Sequence, residues 1–133
     1  QGGLPFGLQP KEFLHSTRQT LDQHAFNASK DILFLSGIHN QSVRARAQWP
    51  HQDYRRDPFN NALKQFIKNM KNAWFVDFVP FTNHPKITDG SWTADGVHLL
   101  TSMNYAKARI FMALLHLAAE QATHSSFHGT FPH

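Results

Sequence analysis

The sequence predicts an α/β protein built around a parallel sheet. Two apolar runs of strand length, "DILFLSGI" and "AWFVDFV", are separated by an amphipathic helical stretch. Strands connected through a helix normally lie parallel, and parallel strands covered on both faces have such near-continuous apolar runs. The composition fits one folded domain, since 41% of the 133 residues are apolar and 17% are charged.

The first third of the chain is predicted to form a helix and then a strand. Pro10 suits an early helical position. An apolar stripe at helical spacing follows it: Phe13, Leu14, Thr17, Leu21 and Ala25. "DILFLSGI" is the first strand and ends in a Ser-Gly turn. Residues 39–57 have no clear period, which predicts a long loop.

A second helix, a second strand and a last helix follow. Asp57 and Pro58 are typical of an N-cap and a first-turn proline. They precede the clearest amphipathic pattern in the chain: Phe59, Ala62, Leu63, Phe66, Ile67 and Met70. "AWFVDFV" is the second strand, residues 80–99 are a long loop, and the last helix spans about residues 102–122. Residues 1–123 are thus expected to form part of a single α/β domain, followed by an irregular tail over residues 124–133.

The predicted sheet has too few strands for its helices. Two strands leave both edges open and offer little surface for three helices to cover. We therefore expect an incomplete half of a three-layer α/β/α domain. The missing strands would come from an N-terminal part of the same protein or from a partner chain.

A candidate catalytic pair precedes the last helix. Asp95 lies three residues before His98 in the segment "TADGVHLL". In serine hydrolases such a carboxylate fixes the imidazole tautomer, and the imidazole moves the proton. Gly96 lets the loop turn tightly enough for the two side chains to meet. The alternative interpretation is a loop Asp that caps a turn beside an ordinary surface His.

The wider segment "DGVHLLTSMNYAKARIFMALL" resembles the last block of the SGNH (GDSL-type) hydrolases. It is most similar to the PC-esterase-like branch, where D-G-x-H leads into a helix with an N-x-x-K-A run. Asn104, Lys107 and Ala108 stand at the matching places. The upstream pieces "ILFLSGIHNQS", "NNALKQFIKNM" and "FVDFVPFT" are also similar, so the resemblance covers roughly residues 30–118. It implies an SGNH/flavodoxin-like sheet with Asp95 and His98 as catalytic residues.

The nucleophile of that family has no counterpart here. SGNH enzymes place their Ser in a G-D-S block and take an oxyanion donor from the Asn of G-x-N-D, and this sequence has neither block. The nearest approach is "SGIHN", where Ser36 lacks the preceding glycine. The resemblance therefore implies the C-terminal part of a serine esterase or O-acyltransferase whose Ser comes from elsewhere. Its substrate would be an acyl ester, such as an O-acetylated sugar, and no cofactor is implied. The alternative is a non-catalytic interaction subunit of the same ancestry.

Two further groups of polar residues invite a binding interpretation. His39 and Asn40 follow the first strand. They either line the substrate pocket beside Asp95 and His98 or simply begin a polar loop. A basic and aromatic stretch comes next: Arg44, Arg46, Trp49, Tyr54, Arg55 and Arg56. Such stretches can bind nucleic acid, but a solvated loop is the favoured interpretation. Three tail histidines lack the carboxylate or Cys that would complete a metal site: His124, His128 and His133.

The remaining signals concern the compartment. The sequons at Asn27 ("NAS") and Asn40 ("NQS") permit N-glycosylation and favour a secreted or secretory-pathway protein. The absence of cysteine excludes disulfides. No window approaches the roughly 18 apolar residues of a membrane span. The formal charge of +4 is compatible with acidic partners but specifies none.

Overall fold

The computed structural model describes residues 9–40, 42–43, 50–95, 98–121 and 129–132. Its elements are α1 (Pro10–Gln23), β1 (Leu33–Ser36), α2 (Pro50–Ile67), β2 (Ala73–Val76), α3 (Val79–Thr82), α4 (Pro85–Thr88), α5 (Thr101–Gln121) and β3 (Gly129–Phe131). The three strands form one parallel sheet in the order β1-β2-β3. The prediction of an α/β fold with a parallel sheet is therefore confirmed.

The central strand of this sheet is β2. Phe75 lies in register with Leu35 on one side and with Thr130 on the other. All four residues of β2 are buried. Because successive side chains of a strand point to opposite faces, the unbroken apolar run of β2 requires cover on both faces.

Helices supply that cover from two directions. On one face, a cluster forms around β2 and α2: Leu63, Ile67, Ala73 and Phe75, with Phe13 and Leu14 of α1 against it. On the other face, two clusters join β2 to α5: Trp74 with Ala118, and Val76 with Phe78 and Leu114. Aromatic rings dominate this second face, since Phe78 and Phe111 pack with ring centroids 5.7 Å apart.

The second helix begins earlier than predicted, at Pro50. The prediction of a loop over residues 39–57 is therefore wrong for residues 50–57. Pro50 occupies the first helical position, where a proline costs no helical hydrogen bond. Pro58 lies inside the helix and withdraws one amide donor. Residues 50–57 have no apolar periodicity, which is why the pattern favoured the later start. At the first helix, Ala25 lies beyond the last helical residue and has a φ of 52°.

Two segments expected to be irregular contain regular structure. The predicted loop over residues 80–99 includes most of the single-turn helix α3 and all of α4, each with a proline among its first two residues. The predicted tail includes β3, so the described sheet has three strands rather than two. The ring of Phe131 stacks on that of Phe81 with centroids 6.1 Å apart. A strand of three residues is too short to leave a periodic pattern, and its apolar packing became visible only in the structure.

Gly37 allows the chain to leave β1 close to the central strand. A Cβ at this position would lie 2.5 Å from Cζ of Phe75 and 3.2 Å from Oδ1 of Asn60. Such a carbon would overlap the Phe75 ring, which is fully buried and has little room to move.

We predict that Gly37→Ala lowers the free energy of unfolding by about 1–3 kcal/mol, because the added methyl overpacks the site. Phe75→Leu should relieve part of this loss in the double variant, although it destabilises the protein alone. Urea denaturation of all four proteins gives the coupling energy. Strictly additive effects would contradict the close approach.

Candidate active site

The exit of β1 is fixed to α2 by one buried amide. Ile38 lies two residues beyond β1, and its N–H donates to Oδ1 of Asn60 at 2.8 Å. Its carbonyl accepts from Nδ2 of Asn60 at 3.0 Å. Asn60 is 5% exposed, so the two bonds satisfy its buried side-chain amide together with both backbone polar groups of the half-buried Ile38.

Asn40 connects the same exit to the segment that follows β2. Its Nδ2 donates to the carbonyl of Val79 at 3.0 Å, and its N–H donates to Oγ1 of Thr82 at 3.1 Å. Its Oδ1 accepts from Nη1 of Arg56 at 2.6 Å. Asn40 thus holds the segment after β1, α3 and α2 together at the carboxyl ends of the strands.

Asp77 comes directly after β2 and stabilises the start of the next turn. Its Oδ1 accepts from the N–H of Val79 at 3.0 Å, and its Oδ2 lies 3.9 Å from Nζ of Lys64. Both carboxylate oxygens thus face a donor or a cation, so the charge is not left unpaired near the core.

The segment after β1 also contacts the turn that leads to Asp95. Gly90 has a φ of 89°, and a Cβ there would lie 3.7 Å from both Cβ of Ser42 and Oγ1 of Thr93. Oγ1 of Thr93 donates to the carbonyl of Gly90 at 2.8 Å. Ser42 is fully buried in this contact region. The Asp95–His98 segment is therefore anchored to the loops at the carboxyl ends of β1 and β2.

A short antiparallel ladder presents His98 to solvent. Thr93 and Leu99 form an antiparallel bridge and are buried. The N–H of Ala94 donates to the carbonyl of His98 at 2.8 Å, and both residues are exposed. Nδ2 of Asn104 donates to the carbonyl of Leu99 at 3.3 Å, which ties the ladder to the first turn of α5. Side chains of the ladder thus alternate between the core and the surface.

The structure brings Asp95 and His98 into direct contact. Oδ2 of Asp95 lies 2.6 Å from Nδ1 of His98, and Oδ1 accepts from the backbone N–H of His98 at 2.7 Å. Because both carboxylate oxygens bind the same residue, the carboxylate fixes the ring as well as the loop. A proton on Nδ1 satisfies the carboxylate, which leaves Nε2 as the basic nitrogen.

The Asp95–His98 pair lies at the surface rather than in a closed pocket. The His98 side chain is 63% exposed and that of Asp95 is 49% exposed. Within the described ranges, no hydroxyl group lies within hydrogen-bond distance of the His98 ring. Ser36 is exposed at the end of β1, and its Oγ donates to the carbonyl of Gly37 at 3.4 Å. The pair can accept and return a proton, and it requires a hydroxyl from outside the described residues to act on an ester.

Several residues near this edge were not predicted from the sequence. Nζ of Lys107 lies 4.4 Å from the ring centroid of Phe78, and burial lowers the pKa of Lys107. The rings of His84 and Trp92 stack with centroids 4.5 Å apart. The buried role of Asn60 could have been predicted, because it is a polar residue on the apolar stripe of α2. The contacts of Lys107, His84 and Trp92 depend on the tertiary fold and leave no pattern in the sequence.

The remaining predicted site residues are dispersed. His39 is half-buried between Ile38 and Asn40 at the β1 exit. Asn27 is exposed, and its Oδ1 accepts from the N–H and Oγ of Ser29. Its glycosylation, that of Asn40 and the binding roles of His39 and Asn40 stay predictions. Residues outside the described part of the chain include Gly96, Arg44, Arg46, Trp49, His124, His128 and His133.

Comparisons with known proteins leave this geometry as the main guide to function. The chain matches no protein-family model, no curated protein and no solved structure. None of the helices in the described ranges combines the length and apolar character needed to cross a bilayer. Among the same residues, no three His, Asp or Glu side chains gather into a metal-binding group.

The Asp95 contact predicts one tautomer for His98. We expect the neutral ring to carry its proton on Nδ1 and expect Asp95→Ala to remove this preference. Long-range ¹H–¹⁵N correlation spectra distinguish the two forms, with His116 as an internal reference on the surface of α5. A neutral His98 ring protonated on Nε2 in the unmodified protein would contradict the inferred hydrogen bond.

The lowered pKa of Lys107 predicts that the free energy of unfolding rises with pH. Because its folded pKa is below the ordinary 10.5, the unfolded chain binds more protons between these two values, so the free energy of unfolding rises with pH across that window. Lys107→Met should abolish the rise while keeping the apolar stem. Denaturation at a series of alkaline pH values tests this, with the exposed Lys71→Met as control. An unchanged pH profile in Lys107→Met would contradict the assignment.

Proposed function

We propose that this chain supplies the acid–base pair of a serine-type esterase or O-acyltransferase. In this proposal Nε2 of His98 takes the proton of a serine hydroxyl as that oxygen attacks the ester carbonyl. His98 then returns the proton to the departing alcohol oxygen, and Asp95 stabilises the intervening imidazolium. Water or another alcohol then accepts the acyl group.

The observation that carries the proposal is the double contact between Asp95 and His98. A carboxylate 2.6 Å from Nδ1 leaves Nε2 as the reactive nitrogen, which is the arrangement that general-base catalysis by His requires. The location supports it too, because open α/β sheets bind ligands outside the carboxyl ends of their strands. The three parallel strands with helices on both faces fit an SGNH/flavodoxin-like layering.

The nucleophilic serine is proposed to come from a different segment of the protein or from a partner chain. G-D-S is absent from residues 1–133, and β1 and β3 are the edges of the described sheet. Additional strands beside β1 would bring further loops to the same carboxyl edge as His98. An acyl ester, for example an O-acetylated sugar, is the substrate class, and a secretory compartment is the location we propose.

The second candidate function is a non-catalytic interaction subunit. The exposure of the pair and the hydrogen bond from the His98 N–H to Asp95 also suit a carboxylate that only stabilises a loop. In that case the partner chain would extend the sheet without contributing a nucleophile.

Kinetics of ester hydrolysis distinguish the two candidates. The assay uses the natural polypeptide that contains these residues, together with any chain that copurifies, and p-nitrophenyl acetate as substrate. We predict that His98→Ala lowers kcat/KM about 10²–10⁴-fold, the usual contribution of a general base. His116→Ala, which changes an exposed histidine on α5, should leave kcat/KM unchanged. Equal activities of the two variants would favour the interaction subunit.

A further inference from the structure

The outer surface of α5 has an apolar stripe that the fold does not use. Its members lie opposite the core side of the helix: Tyr105, Ala108, Met112, Leu115 and Ala119. At 100° per residue they fall within an arc of about 80° and extend over four turns. Tyr105 is 69% exposed, Met112 54% and Leu115 49%, which makes them three of the most exposed large apolar side chains described.

The opposite side of α5 is already buried against the sheet. Leu114 and Ala118 pack on β2, and Phe111 packs on Phe34 and Phe78. A helix that is apolar on both sides normally has cover on both sides, and contiguous exposed apolar surface in a soluble protein commonly marks an interaction site.

Charged residues border the stripe along one side. Arg109 and Glu120 are exposed and lie on the same flank of the stripe. They are separated by eleven residues, or about 16 Å along the helix, so they cannot pair within one chain. In an antiparallel pair of α5 helices related by a two-fold axis, the flanks meet, and Arg109 of each copy reaches the level of Glu120 of the other.

We propose that the outer stripe of α5 is the interface of a homodimer. The two-fold axis passes near Leu115, which faces its own copy, and Met112 packs between Leu115 and Ala119 of the second copy. Two reciprocal Arg109–Glu120 pairs set the antiparallel register. The interface is independent of the proposed ester chemistry, since the stripe does not include the Asp95–His98 pair.

Charge reversal provides the specific test of this arrangement. Sedimentation velocity on the natural polypeptide at micromolar concentration should give a species of twice the chain mass. Leu115→Glu, which places two like charges on the axis, should weaken the dimer at least about 100-fold. Arg109→Glu or Glu120→Arg alone should weaken it about ten-fold, because two attractive rim pairs become repulsive.

The double variant Arg109→Glu/Glu120→Arg decides the register. It should restore dimerisation to within about three-fold, because the reversed charges again face opposite ones. Arg18→Glu on α1 is the control for a change of net charge and should have no effect. A monomer at all concentrations would overturn the proposal. So would a dimer that withstands Leu115→Glu, or single reversals that the double variant does not rescue.

Discussion

The two hydrogen bonds between Asn60 and the backbone of Ile38 are the constraint on which the candidate site depends. A parallel strand that ends inside a packed protein leaves peptide groups that water cannot reach, and each unsatisfied group costs about 1–3 kcal/mol. From the apolar side of α2, Asn60 pairs with both backbone polar groups of Ile38, the N–H and the C=O. Asn40 then forms hydrogen bonds with Val79 and Thr82 of α3. The loops leaving β1 and β2 therefore have fixed positions.

This chain of contacts explains how a surface loop can hold the side chains of Asp95 and His98 against each other. Ser42, Gly90 and Thr93 pack where the loops from both strands meet, and the Thr93–Leu99 bridge turns the next residues outward. Asp95 completes the arrangement by binding the backbone and ring of His98 together. The geometry of the pair is thus set locally by the loop and globally by the sheet edge.

The sequence predicted the elements and contacts that depend on a periodic apolar pattern or on a short spacing between two residues. The apolar runs predicted β1 and β2, the helical stripe predicted α1 and most of α2, and the D-x-x-H spacing predicted a contact that the structure contains. It was uninformative where long-range packing decides the outcome. The start of α2 at Pro50 lacks an apolar pattern, and β3 is defined by its pairing with β2 rather than by its three residues. The contacts of Asn40 with Val79 and Arg56 join residues that are distant in sequence, so no local rule identifies them.

Labelling with a fluorophosphonate shows whether His98 activates a serine. The reagent reacts with a serine that has a neighbouring base, and mass spectrometry of the peptides then locates the modified residue. We expect the natural polypeptide, or a chain bound to it, to be labelled at one serine outside residues 1–133, and we expect His98→Ala to abolish the labelling. Labelling that persists in His98→Ala, or a protein that is never labelled, would contradict this role of His98.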